Sequence, residues 1–379
     1  MVAGWLVFLL VRGNVGRDRL TTAYINRVAT AVPPYDVHDA FRRFAQSLFD
    51  GDRRNGLLFK RMADKSGIEH RYSCLPPSNR PEGEAVDGER FYLRGDFPDI
   101  AARMRRFERH APELAEAAVE RLQLGQERDR ITHVLITCCT GFSAPGLDHE
   151  VVERCKLPTT VERTMIGFMG CYAAINALKL ARHIVRSEPQ ARVLILNVEL
   201  CTLHLKETTD LEQVLSFLLF GDGSAACIVS ADPVGIALDS FRAVLVPDTR
   251  ELITWNIRDF GFDMVLSGQV PGAIHDALHD HMDEILGGAQ ASAIDLWAVH
   301  PGGRTVLDAV ERAFDLTPAA LAASREVLRR YGNMSSATVM FVIEKLLRIN
   351  RINRTDCTGC AMSFGPGLTA ETMLFRTAA

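Results

Sequence analysis

Near-continuous apolar runs of five to ten residues alternate with amphipathic stretches along most of this chain. The runs 131–138 (ITHVLITC), 191–200 (ARVLILNVEL), 224–230 (SAACIVS), 295–300 (DLWAVH) and 360–364 (CAMSF) predict strands covered on both faces. Between them the apolar positions recur every three or four residues. Ile100, Met104, Phe107, Ala111, Leu114 and Ala118 predict a helix over 99–124. Ala173, Ile175, Leu178 and Ala181 predict another, from just after Cys171 to about Val185. Thr317-Pro318 reads as an N-cap followed by proline at the first helical position, with Gly332 ending that helix. Ser335 or Ser336 is then expected to cap a helix carrying Val339, Phe341, Val342 and Leu346. The pattern is α/β, in two βα-rich halves expected to span 21–231 and 232–379, joined near Ala231-Asp232-Pro233. The ordered chain is expected to begin near Thr21, with Ala23-Tyr24-Ile25 opening a strand. The stretch Pro76–Gly88, rich in proline, glycine and charge, is expected to be an exposed loop.

The first twenty residues do not fit this pattern. Trp5–Val11 is apolar, but seven residues are too few to span a bilayer, and positive charge follows the run instead of preceding it. Residues 1–20 are therefore expected to be a disordered extension with no membrane span or signal peptide. A net charge of -4 gives no electrostatic case for nucleic acid. Nine cysteines, an odd count without an extracellular spacing pattern, point to reduced thiols in a cytosol, neither a disulfide framework nor a metal site.

Chemistry concentrates at three places. In Gly167–Ala174 (GFMGCYAA) a glycine precedes Cys171 and a helical pattern follows it. A thiol there meets the positive end of the helix dipole, which favours thiolate, and Gly170 leaves the sulfur accessible. In 297–303 (WAVHPGG), His300 ends a strand that Pro-Gly-Gly then turns, where an imidazole becomes a fixed donor or base. In 331–338 (YGNMSSAT), Asn333 occupies a glycine-marked turn ahead of a helix. Taken singly, these are most often a buried cysteine, a structural histidine and a helix cap. Together they form a set for nucleophilic catalysis with oxyanion stabilisation. A cysteine peptidase uses the same three residue types, but its C-G-[SA]-C-[WY] signature is absent. Gly141–Gly146 (GFSAPG) lacks the second glycine of a serine elbow, and Gly221–Ser224 is a turn before a strand, not a phosphate loop.

GFMGCYAAINALKLA around Cys171, LLFGDGSAA at 218–226, WAVHPGG around His300, GNMSSAT around Asn333 and SFGPGLTAET at 363–372 resemble the chalcone and stilbene synthase superfamily of type III polyketide synthases. The resemblance runs from about Thr21 to the C-terminus. It implies a duplicated thiolase-type fold layered αβαβα, acting as a cytoplasmic homodimer without a metal or bound cofactor. It implies that Cys171 accepts an acyl group from a starter acyl-CoA. His300 and Asn333 would stabilise the thioester oxyanion and the enolate left when malonyl-CoA loses CO2, and that enolate would extend the chain by two carbons per cycle. Phe59–Ser66 (FKRMADKS) resembles the segment that grips CoA phosphates, which nominates Arg61 and Lys65. Leu58 stands where that segment carries a further basic residue.

The departures bear on substrate. Leu205 and Met264 stand where plant chalcone synthases place gatekeeper phenylalanines, and 137–146 (TCCTGFSAPG) resembles bacterial members that make alkylresorcinols or alkylpyrones, with a small Ala144 at the expected dimer seam. The implied substrate cavity comprises Cys139, Ala144, Cys201, Leu205, Met264, Ser335, Phe364, Gly365, Pro366 and Gly367. A medium or long fatty acyl starter is the expectation. A single-condensation enzyme like β-ketoacyl carrier-protein synthase III and an aromatic-starter synthase are the alternatives.

Overall fold

A computed structural model describes residues 21–353 and 356–378, so the expected extension over 1–20 lies outside the described residues. Nine strands form one sheet in the order Leu296–Val299, Thr358–Gly365, Thr369–Ala378, Gly235–Leu245, Tyr24–Ala31, Asp222–Ser230, Val193–Leu200, His133–Cys138 and Glu162–Gly167. The order contains a repeat. In each half the first strand pairs antiparallel with the last, the last with the one before it, and that one runs parallel to the second. The first half adds Glu162–Gly167 at its edge, parallel to His133–Cys138. Among the described residues the second half has no counterpart to that strand.

The continuous apolar runs account for the layering. Every residue of His133–Cys138, Val193–Leu200 and Asp222–Ser230 is buried, so these strands need cover on both faces. One face meets the outer helix Ile100–Leu122, whose Phe107, Ala111, Leu114 and Ala118 are buried in the same core as Ile136, Leu196 and Ala226. The other meets two central helices, Ala173–Ser187 and Thr338–Asn353, whose buried residues join Ile195, Ala225 and Val229. Ala173, Ala174, Ala177 and Ala181 keep the first of these slim enough to lie against the sheet. Val270–Asp280 and Arg304–Ala313 cover the outer face of the second half around Trp297, Val299 and Cys360. The result is the αβαβα layering of a duplicated thiolase-like fold. Among the described residues no helix is long and apolar enough to cross a membrane. Cys74, Cys138, Cys139, Cys155, Cys171, Cys201, Cys227 and Cys360 are free thiols.

Local details depart from the sequence pattern. Thr317-Pro318 does not open a helix; it enters a turn, and the helix begins at Ala322 and runs to Tyr331. Neither Ser335 nor Ser336 caps the following helix. The Ser335 N–H donates to Asn333 Oδ1 at 2.8 Å, while the Ser336 hydroxyl turns inward to a buried carboxylate. The loop 76–88 is not simply exposed: Pro81, Val86 and Asp87 are buried. Asp87 pins the loop by accepting the N–H groups of Glu89, Phe91 and Tyr92 at 2.9, 3.1 and 2.7 Å.

Candidate active site

Both central helices start from strained turns, and the site lies between them. Strand Glu162–Gly167 leads into Phe168 and Gly170, at φ 57° and 73°, then a single 3-10 turn over Gly170–Tyr172, and then helix Ala173–Ser187. A Cβ on Gly170 would sit 2.2 Å from Pro366 Cδ, so glycine is required both for conformation and for space. A Cβ on Gly365 would sit 2.7 Å from the Tyr172 ring and 3.3 Å from the Cys171 nitrogen. The 365–366 turn therefore clamps the Cys171 turn from above. The second helix repeats the device: Gly332 and Ser335 have φ of 67° and 47°, and a 3-10 turn covers Ser335–Ala337.

These turns bring Cys171 and Asn333 together. Cys171 Sγ lies 3.8 Å from Ser335 Oγ, and the Asn333 side chain also bonds toward the sulfur. Asn333 is fixed by its neighbours. Its backbone N–H donates to Leu219 O at 2.8 Å, its carbonyl accepts from Gly221 N at 2.9 Å, and its Nδ2 donates to Gly302 O at 3.4 Å. Its Oδ1 serves the helix start, so an acceptor for that turn and an amide N–H2 donor coexist in one side chain. Gly302 belongs to the turn after strand Leu296–Val299, where its N–H donates to His300 O at 3.0 Å. His300 is buried, anchored through its backbone N–H to Met362 O at 2.8 Å, and neither ring nitrogen has a hydrogen-bond partner among the described residues.

The electrostatics run against one expectation, the thiolate at Cys171. Desolvation pushes the Cys171 thiol up to about 12; the Ser335 bond opposes this, Glu199 reinforces it, and the Asn333 bond opposes it again. A short 3-10 turn beneath the sulfur, with burial around it, outweighs the dipole of the helix that follows. Burial likewise holds His300 down at about 3, so the imidazole is neutral. Both shifts favour the neutral forms, a thiol and an imidazole.

A buried polar network missed by the sequence reading underlies the sulfur. Glu199 accepts from Ser336 Oγ at 2.5 Å, and from Cys139 N and Thr140 Oγ1 at 3.0 Å each. Burial raises its carboxyl to about 7 against these three donors. The signal was present, since Glu199 is the one charged residue near the end of the apolar run 191–200. Asn197 and Thr137 extend the network, with bonds of 2.7 Å to each other and 2.9 Å on to Ser336.

A small apolar cavity adjoins Cys171. Of the expected residues it is lined by Cys139, Cys201, Met264, Ser335 and Pro366. Leu205 instead lines a larger apolar cavity that shares Cys201 and Phe220 with the first. Phe364, Gly365 and Gly367 line neither cavity and act on the backbone behind them; the Gly367 N–H donates to Ile253 O at 3.0 Å. Ala144 is exposed and lines neither cavity. Arg61 and Lys65 lie on the solvent face of helix Arg53–Lys65, outside both cavities. Trp255 was also missed. It comes from the hairpin Ile253–Arg258/Gly261–Leu266 and donates from Nε1 to Cys139 O at 2.7 Å, closing the cavity roof.

Residues 27–233 match the N-terminal domain of chalcone and stilbene synthases, and residues 237–379 match their C-terminal domain. The chain belongs to the chalcone and stilbene synthase family. An alpha-pyrone synthesis polyketide synthase-like protein of Mycobacterium tuberculosis, Pks18, is 33% identical over 94% of this chain and 91% of its own length. Bisdemethoxycurcumin synthase of Oryza sativa is 32% identical over 93% and 92%. The crystal structure of PKS-I from the brown alga Ectocarpus siliculosus superposes with a TM-score of 0.84 at 28% identity, covering 95% of this chain and all of that one. The chalcone and stilbene synthase fold thus accounts for the whole described chain, which is a type III polyketide synthase and an acyltransferase by family.

Proposed function

We propose that Cys171 carries an alkyl starter from acyl-CoA and that malonyl-CoA extends it in repeated decarboxylative condensations, with cyclisation to an alkylpyrone or alkylresorcinol. The observation that carries the starter class is that a second apolar cavity adjoins the one beside Cys171, the two sharing Cys201 and Phe220 in their walls. In this reading an acyl chain on Cys171 passes Cys201 into the neighbouring space, walled by Leu75, Val86, Leu205 and Phe217.

In this reading the neutral His300 accepts the Cys171 proton as sulfur attacks the starter thioester, and CoA leaves as the thiol. A malonyl thioester bound next loses CO2, and the electron pair of the broken C–C bond moves onto the thioester oxygen. His300 and the Asn333 amide are the N–H donors for that developing charge, in a site too dry for water to compete. The enolate carbon then attacks the Cys171 thioester, forming the C–C bond and releasing the thiolate. Arg61 and Lys65 would bind CoA phosphates, and no metal or bound cofactor takes part. Homodimerisation through the edge strand Glu162–Gly167 is part of the proposal, supported by Phe142 and Met169, exposed beside it. The free thiols suit a cytoplasmic setting.

The test is a panel of acyl-CoA starters from four to sixteen carbons with labelled malonyl-CoA. Each buried methylene contributes roughly 0.8 kcal/mol, so kcat/KM should rise about fourfold per added carbon until the cavity is full. A preference for aromatic starters, or release after a single condensation, would overturn the reading.

A further inference from the structure

Helix Arg53–Lys65 carries more exposed feature than two phosphate-binding cations explain. Its inner face buries Gly56, Phe59 and Ala63. Its outer face exposes Leu57, Leu58 and Met62, at 60, 38 and 48%. The same face carries Arg53, Arg54, Lys60, Arg61 and Lys65, all exposed. None of these five side chains has an acceptor or ion-pair partner among the described residues; the Lys65 backbone carbonyl accepts from Arg304 Nη1 at 3.2 Å. The acidic neighbour Asp64 is taken up by Arg42.

Two points make this arrangement unusual. Arg53 and Arg54 occupy the first turn, which holds no acidic residue, so their charges oppose the helix dipole. Three large apolar side chains are left in water on one short helix, interleaved with cations, in a chain whose net charge is -4. A CoA molecule has too few phosphates, clustered at one end, to engage both the first turn and the last. An anionic helix with apolar residues between its carboxylates would complement the whole face.

We propose that this face docks an acidic carrier protein that delivers the acyl group as a phosphopantetheine thioester, alongside free acyl-CoA. The C-terminal end of the helix meets Arg304, directly after the 301–303 turn that follows His300, so the docking face adjoins the site. The transfer is thioester exchange: Cys171 sulfur bonds to the acyl carbon, the carbon–sulfur bond to phosphopantetheine breaks, and the proton from Cys171 leaves on the carrier thiol. The proposal rests on Cys171 being the acyl acceptor and goes beyond it in naming the donor.

The experiment compares octanoyl-loaded acyl carrier protein with octanoyl-CoA as donors to the full chain, following octanoyl-Cys171 by peptide mass spectrometry. Arg53→Glu/Arg54→Glu reverses the exposed first-turn charges, outside the Phe59–Ser66 segment, and places carboxylates against an acidic partner. Transfer from the carrier should fall at least tenfold, while transfer from octanoyl-CoA and the thermal midpoint stay unchanged. Equal loss with both donors, or none with the carrier, overturns the docking role. So does sedimentation of the wild type with phosphatidylglycerol vesicles that the variant abolishes while carrier transfer persists, since the face would then serve a membrane. Labelling from octanoyl-CoA but not from the carrier defeats the docking proposal alone; labelling from neither defeats the acyl-acceptor reading with it.

Discussion

The two halves of this protein share one strand order and put different chemistry on equivalent loops. After the second strand of the first half comes Cys139; after the second strand of the other comes His300. The central helix of the first half starts at Cys171, and that of the second starts after Asn333. Each start uses a glycine and a non-glycine residue at positive φ, followed by a single 3-10 turn. The scaffold places four side chains on equivalent loops, and in the proposed function one half supplies sulfur and the other supplies N–H donors. The lost edge strand matters too. Where the first half has Glu162–Gly167, the second runs from helix Ala322–Tyr331 straight into Asn333, which bridges to Phe220 of the opposite half.

The largest effect should come from removing the sulfur. Cys171→Ala is expected to abolish acyl loading from octanoyl-CoA, seen as loss of the mass increment on the intact protein, with an unchanged far-UV spectrum. Residual loading on another cysteine would break the division of labour between the halves. Next in size is the donor half. Asn333→Asp keeps the volume and the helix-start acceptor but aims a negative charge where the enolate forms. Malonyl-CoA decarboxylation should fall about 10²–10³-fold, while acyl loading of Cys171 falls much less. If both steps fell equally, Asn333 would be a structural cap and no more.

Much of this was legible in the chain. Fully buried strands announce themselves as unbroken apolar runs, and Ile100–Leu122 and Ala173–Ser187 by their apolar stripes. What failed was the reading of short polar signals whose partners are distant in sequence. Thr317-Pro318 carried a cap-and-proline signature yet forms a turn, and Ser336 looked like a cap but bonds to Glu199, 137 residues away. The same distance hid Trp255, which roofs the cavity through the carbonyl of Cys139, 116 residues earlier. The upward push on the Cys171 thiol was hidden for a related reason: a local dipole is visible in sequence, whereas burial is a property of the assembled core.

The paired turns can be tested by their backbone. Gly170→Ala places a methyl group against Pro366 at a residue with φ 73°. The strain should cost about 1–3 kcal/mol of stability. Displacing the sulfur by an ångström should lower turnover about a hundredfold. Thermal melting and kcat measure the two separately. An alanine variant with normal turnover would show that the clamp from residues 365–366 does not position Cys171.

The smallest effect separates two views of the sulfur itself. If the helix start held Cys171 as a thiolate paired with protonated His300, iodoacetamide labelling of Cys171 would be level from about pH 6 upward. The structure favours the opposite, a thiol pushed up to about 12 beside an imidazole held near 3. The sign follows directly. A raised thiol pKa means that thiolate appears only as pH rises, so the labelling rate should climb close to tenfold per pH unit between 7 and 9, without a plateau. His300 gains a proton only as pH falls through about 3, so it adds no inflection in that window. Asn333→Ala removes one of the bonds that pull the thiol down, so the rate at each pH should drop modestly with the slope preserved. A level profile in the wild type would mean that the imidazole of the second half charges the sulfur of the first before substrate arrives, instead of at the moment of attack.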